Sequence, residues 1–478
     1  MDTNLTQVKQ FRTRLYQSLP RRADATMDLI DALASNTTGR SVVELSLSPL
    51  FRRRHASVHD AIDSLLEDTG DSGDFDMSRR RLEEGQLRAV APELPTPTAR
   101  PFWLMAIDAL TLARPHAATL TDRSYVHKAE VHSSGRPVTV GHAYSLLVNL
   151  PERQTGEPPW APALSSRRIP SDRTATDVGL EQLWDVMEEK EVPWAGQLVV
   201  CVVDSGYGNA AFLADAATEP DLVIIARMRS NRVIYHSPQP KPDRKGRPPW
   251  YGERFDMRDA ATWTEPAALS TFTRRTSGGR AFTVEVRAWH NMRMKGAKGF
   301  PMHAQPFTLL RVECLDEAGK PLFRRPLWLC VIGARRAEVT PEQAYDAFRQ
   351  RFDQEHSHRF LRQRLLLDAS QTPETQHEEN YVVLVRLAYL LLFVARNIAQ
   401  HLPRPWERAK KSTGPASPTM VQRDLGRILA LTGTPACAPK PRGKSKGRAL
   451  GAAPGRRTRH KVVYKGESHA PRARAPAA

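Results

Sequence analysis

LVVCVVDSGYG, residues 198–208, is an apolar run closed by a carboxylate and then by a glycine-rich turn. Its valines predict a strand, and Asp204 stands where that strand should stop. Upstream, VGLEQLWDVMEEK (178–190) has helical spacing, and downstream one short helix leads to a second apolar run, LVIIARMR (222–229). YSLLVNL (144–150) and FWLMAIDALTL (102–112) add strands earlier, so strands alternate with helices and argue for an α/β layer. The 102–112 run carries one carboxylate, Asp108, which is expected at the strand's end. An ionised carboxylate directly after an apolar strand costs solvation energy unless a cation or donor compensates it. Taken singly, either aspartate is explained as a turn or cap residue.

A third acidic position lies in FDQEHSHRFLRQ, residues 352–363. Phe348, Arg351, Glu355 and Arg362 follow one another in steps of 3, 4 and 7, which predicts four side chains on one face of one helix. An amphipathic helix with a plain Arg351/Glu355 pair accounts for the same spacing. His356 and His358, two residues apart, point to different sides of a helix and are poor joint ligands for zinc.

The ends of the chain differ from this middle. Leu5, Val8, Phe11, Leu15 and Leu19 recur at helical spacing, and Met27, Ile30 and Leu33 repeat the pattern with Asp24 as the expected N-cap. Ser48-Pro49 and Ser57-x-x-Asp60 predict two short helices joined by the basic turn Arg52, Arg53, Arg54, an arrangement like a helix-turn-helix or a small bundle with a solvated charge cluster. GDSGDFD (70–76) and PELPTPTARP (92–101) are turn-rich, and the second marks a domain boundary. AFTVEVRAW and the hairpin LLRVECLDEAGKPLFRRPLWLCVIG make 231–334 a β-rich insertion that opens on the loop PQPKPDRKGRPPW; TPEQAYDAFRQRF then resumes helix, with Thr340, Pro341 and Glu342 as start signals. The resulting division is a helical DNA-binding domain over 1–95, a core in two parts over 96–230 and 335–402 around the insertion, and a C-terminal helix with a basic disordered tail over 403–478.

Lys and Arg number 70 against 52 Asp and Glu, a net charge of +18, and a polyanionic partner is the first inference from that balance. The tail from Lys440 to Arg474 supplies much of the excess: twelve Lys and Arg against Glu467 alone. Such a segment cannot bury enough apolar surface to fold by itself, and contacts phosphates without sequence preference or stays solvated. Cys201, Cys314 and Cys330 lie in apolar runs and Cys437 is isolated, so free thiols in a reducing compartment are expected. YVVLVRLAYLLLFVARNIA (381–399) is interrupted by Arg386 and Arg396, which predicts a buried helix, no membrane partner and a cytoplasmic protein.

The order of Asp108, Asp204, a β-rich insertion and the spaced Phe/Arg/Glu/Arg helix resembles the DDE transposases of bacterial insertion sequences, in the group with a Tyr-x2-Arg-x3-Glu-x6-Lys signature. VVDSGYGNAAFL, ARMRSNRVIY and FRQRFDQEHSHRFLRQRLLL extend the similarity over roughly residues 100–400; Phe348 stands where the group has Tyr, and Arg362 where it has Lys. The resemblance implies a ribonuclease H-like core, a mixed five-stranded sheet flanked by helices. It implies Asp108, Asp204 and Glu355 as catalytic carboxylates holding Mg²⁺, for which Mn²⁺ can substitute. Two such ions ~3.5–4 Å apart would activate the nucleophile and stabilise the leaving oxygen. Arg351, Arg362, Phe348, Arg227, Arg229 and the Arg52–Arg54 cluster become the expected contacts to double-stranded DNA, both transposon ends and target, with a homodimer or larger assembly in the synaptic complex. A catalytically idle DNA-binding descendant and a nuclease of the same fold without strand transfer are the alternatives.

Overall fold

The computed structural model describes residues 3–66, 72–127, 137–154, 156–239, 249–276, 278–407, 414–441, 447, 449–452 and 455–465. Most of the 238–250 loop, the start of the 70–76 stretch and the end of the basic tail lie outside them.

Four helices open the chain: α1 (Thr3–Ser18), α2 (Ala23–Ala34), α3 (Ala56–Asp63) and α4 (Ser72–Val90). Val8, Phe11 and Leu15 form the buried stripe of α1 that their spacing predicts. Asp24 is not the cap of α2. Arg22 holds that position with φ 45°, while Asp24 sits in the first turn and accepts hydrogen bonds from Tyr16 Oη and the Cys437 amide. The helix expected from Ser48-Pro49 is absent among the described residues; a 3₁₀ turn over Val43–Leu47 precedes that point instead. Residues 72–76, read as turn, form the first turn of α4.

The sheet begins with β1 (Trp103–Ala113), β2 (Ser124–His127), β3 (Val138–Asn149) and β4 (Ala163–Ile169). After α5 (Ala175–Glu188), capped by the reciprocal Thr174/Asp177 pair, come β5 (Val199–Val203), α6 (Ala210–Ala216) and β6 (Leu222–Arg227). β1 lies antiparallel to β3 and parallel to β5, and β5 is parallel to β6, so these strands run in the order β4-β3-β1-β5-β6. β2 shares the outer edge of β3 with β4.

The 231–334 region contributes β7 (Val233–Tyr235) and β8 (Arg254–Asp256), a separate pair, then β9 (Ala268–Arg275), β10 (Ala281–Met292), β11 (Phe307–Leu315) and β12 (Leu327–Ile332). The expected hairpin is β11–β12. Its second strand pairs antiparallel with β6, so β12, β11, β10 and β9 continue the central sheet sideways. The physical reason is that β6 would otherwise present an open edge.

α7 (Pro341–Gln350), α8 (Phe352–Arg364), α9 (Thr375–Val394) and α10 (Pro418–Thr432) complete the fold. Thr340 caps α7 reciprocally with Gln343, and Pro341 takes the first helical position. From Tyr381 to Val394 every residue of α9 is buried, Arg386 included, and its guanidinium donates to the carbonyl of Leu164 at 2.9 Å. No described helix is long and apolar enough to cross a membrane. The N-terminal helices pack on α9 and α10 and belong to one continuous apolar core with them. Part of the basic tail is also placed: the amides of His460 and Val463 bond to the carbonyls of Ala118 and Arg123 beside the edge strand β2, and the Tyr464 ring lies 5.3 Å from that of Tyr125. Cys201, Cys314 and Cys330 are free and buried on strands, and Cys437 is exposed.

Candidate active site

The parallel pairing of β1 with β5 ends at Ile107 opposite Val203, and that of β5 with β6 at Val203 opposite Ala226. The next residues along the three strands are Asp108, Asp204 and Arg227. Neighbouring strands lie ~4.8 Å apart, so this register brings the two aspartates and the arginine side by side at the carboxyl ends of parallel strands, where α/β sheets leave a crevice. Asp108 is not at a strand end, however. β1 continues to Ala113 because β3 pairs with it throughout, with Leu146 opposite Asp108. Only the β5 neighbour is lost at Asp108, and this opening leaves its side chain 23% exposed.

Each aspartate is held by backbone. Asp108 Oδ1 accepts from the Ala109 amide at 2.8 Å, and Asp204 Oδ1 from the Gly206 amide at 2.8 Å. A Cβ on Gly206 would lie 3.0 Å from that oxygen, which favours glycine in this tight turn. The Asp108 carboxyl is pushed up to about 6, first by burial, then by the negative charges of Asp204 and Glu355, while Arg351 and the Ala109 amide oppose the rise.

Glu355 reaches the site from α8. The expected single helix is two helices that meet at Arg351, whose amide bonds to the Phe348 carbonyl three residues back. That tightened turn changes the face: Phe348 is buried in the core while Glu355 remains about half exposed. α8 is pinned over the sheet by Gln354 Nε2 to the Leu146 carbonyl on β3 at 3.0 Å, and by Arg362 Nη2 to the Thr111 carbonyl on β1 at 2.6 Å. Arg153, just beyond β3, adds a bidentate pair with Asp353 at 2.8 and 2.9 Å.

Arg351 joins the acidic groups. Its Nη1 lies 3.5 Å from Asp108 Oδ2 and its Nη2 3.1 Å from Glu355 Oε1. Three carboxylates give hard oxygen donors and concentrated negative charge, which suits a divalent cation. Asp108 Oδ2 and Glu355 Oε1 turn toward Arg351, and among the described residues no three His, Cys, Asp or Glu side chains are already gathered closely enough to hold a metal ion.

The other expected contacts divide. Arg227 and Arg229 are exposed at the end of β6. Arg362 is occupied with Thr111, and Phe348 is a core residue. Arg52 and Arg53 pair with Asp28 at 2.7 and 3.2 Å and also donate to the Cys437 carbonyl, so they join the helical bundle to the C-terminal segment; Arg54 is exposed. Two further neighbours of the site are Tyr207, which was not singled out from sequence, and His358, which was weighed there only as a zinc ligand beside His356. Burial, then the charge of Asp108, holds the proton on Tyr207, which follows Asp204 in the same turn. His358 is pushed down to about 4, first by burial, then by Arg362 and Arg351. The DSGYG turn itself was the available signal for Tyr207; nothing in the spacing distinguished His358 from His356.

Residues 14–293 match the family described as DDE superfamily endonuclease, a span that includes Asp108 and Asp204 and stops short of Glu355. No curated protein matches the chain. With more than half of its length matched, the chain belongs to the DDE superfamily endonucleases.

Proposed function

We propose that the protein is a DNA transposase that binds the terminal inverted repeats of its element, cleaves at their ends and joins the freed 3′-hydroxyls to target DNA. An endonuclease family implies DNA as substrate, and its members typically use divalent metals. The observation that supports the proposal is that Asp108 and Asp204 follow paired residues of β1 and β5 side by side, while Arg351 links Asp108 to Glu355. The strand order β4-β3-β1-β5-β6, with the third carboxylate on a later helix, supports a ribonuclease H-like core.

Asp108, Asp204 and Glu355 would hold Mg²⁺, or Mn²⁺ in its place. Bound there, the ions would activate a water or 3′-hydroxyl and stabilise the leaving oxygen. The Gly206 amide engages Asp204 Oδ1, which would leave Oδ2 as the oxygen for a metal. The exposed Arg227, level with Asp204, and Arg229 beyond it would grip the phosphates that flank the scissile bond. A homodimer or larger assembly would bring two ends together, in the cytoplasm.

A nuclease without strand transfer is the second reading, favoured by the family's endonuclease description. Incubating the full-length protein with a labelled terminal-repeat duplex, a supercoiled target and Mg²⁺ or Mn²⁺ separates the two. The proposal expects nicking at the repeat end and joined products, both lost in Asp204→Asn. Nicking without joining would select the nuclease, and no nicking by wild type with either metal would overturn both.

A further inference from the structure

Arg351 is an unusual neighbour for carboxylates that are to hold a metal. Its side chain is only 10% exposed, lies 5.8 and 5.0 Å from the ring centroids of Phe348 and Phe352, and bridges one oxygen of Asp108 to one of Glu355. Those are oxygens that a divalent cation between the same two side chains would need. A guanidinium and a divalent cation cannot share them, since like charges a few ångströms apart repel strongly in a partly buried site.

We propose that Arg351 is the internal counter-ion of the free protein: it occupies the carboxylate site until a divalent cation enters, then leaves Asp108 and Glu355 for a DNA phosphate. The inference rests on the reading of Asp108, Asp204 and Glu355 as a metal-holding set. Three features support the exchange. The bridge puts one positive charge 3.5 Å from Asp108 and 3.1 Å from Glu355, so the two like-charged acids are less costly side by side with Arg351 in place. Glu355 is about half exposed, so the bridge faces solvent on the side where a duplex can approach. A guanidinium released there has the planar fork that matches phosphate oxygens. Arg351 is thus a positioning residue that couples the two ligands: whichever binds first draws it from the acids or frees them, and favours the other.

The test uses the full-length protein without DNA. Mn²⁺ binding is followed by calorimetry in wild type, Arg351→Gln and Arg351→Lys, with Asp108→Asn as the control for binding elsewhere and circular dichroism to verify folding. Arg351→Gln should bind Mn²⁺ about tenfold tighter than wild type, because the competing charge is gone. Arg351→Lys keeps the charge but cannot bridge both acids well, and should bind about threefold tighter. If the glutamine variant does not fold, the lysine variant carries the test with the same sign. A second readout is duplex binding: the gain in affinity that non-catalytic Ca²⁺ gives wild type should shrink in Arg351→Gln. Equal or weaker Mn²⁺ binding by the folded variants, with wild-type binding intact and lost in Asp108→Asn, overturns the counter-ion and leaves the proposed function standing. Wild-type binding no stronger than in Asp108→Asn overturns both.

Discussion

Asp108 sits in the middle of β1 with a carboxyl whose proton affinity is raised to about 6, above the unperturbed 3.8, mainly by burial. The folded state therefore binds a proton more tightly than the unfolded chain. The stability contributed by the protonated form is complete below about pH 4 and is lost as pH rises through about 6. Asp108→Asn removes this dependence, and at pH 7 without divalent ions it should be more stable than wild type by about 2 kcal/mol, with a flatter profile between pH 4 and 6. Urea unfolding across that range measures it; a variant less stable than wild type at pH 7 would contradict the account. A carboxylate that costs stability at neutral pH is consistent with the metal-holding role proposed for Asp108. From the sequence, the carboxylates inside or after apolar runs were legible because burying a charge needs a reason. His358 and Tyr207 were not, because their burial depends on how α8 and α5 lie over the sheet, which no local pattern encodes.

At the scale of elements, the register of β1 against β3 and β5 decides where the site forms. The apolar runs revealed β1, β3, β5, β6, β10, β11, β12 and the buried α9. They did not reveal β4, whose ALSSRRI is polar yet buried: Arg167 there is neutralised by Glu83 of α4 and Asp185 of α5, and Ser165 bonds to Gln182. Nor did they show that β12 would dock on β6, since strand runs do not specify their partners. The broken helix at Arg351 was hidden because its residues have helical propensity on both sides. Gly141 is a further case. It pairs with both Ala113 and Ser124, and a Cβ there would lie 1.9 Å from the Leu112 carbonyl oxygen. Gly141→Ala should separate β1 from β3 at the far end of β1, destabilising the protein by on the order of 3 kcal/mol. Chemical denaturation measures the loss; a change under ~0.5 kcal/mol would mean that the strands shift to make room at no cost.

For the whole molecule, the excess positive charge pointed to a polyanionic partner, and the alternation of apolar and turn-rich stretches suggested a division into helical, sheet and tail regions. The packing between regions was not. α1 and α2 share a core with α9 and α10, and the buried Arg12–Asp31 pair, with a 3.2 Å bond from Arg12 to the Gly433 carbonyl, ties the beginning of the chain to its C-terminal helix. Arg52 and Arg53 serve the same junction. The tail's contact with β2 was likewise invisible, since its basic composition gave no sign of pairing with an edge strand. The largest joint in the account is the long-range one: Glu355 comes from beyond the span matched to the family, and its place beside Asp108 depends on α8 being pinned across β1 and β3. Glu355→Gln tests that joint most directly, because it keeps size and helix propensity while removing the charge. Nicking of a labelled terminal-repeat duplex in Mg²⁺ or Mn²⁺, measured beside duplex binding on the same preparations, should fall by at least about a hundredfold in Glu355→Gln, with binding within about threefold of wild type. Equal nicking by the two proteins would remove Glu355 from the active site and contradict the account.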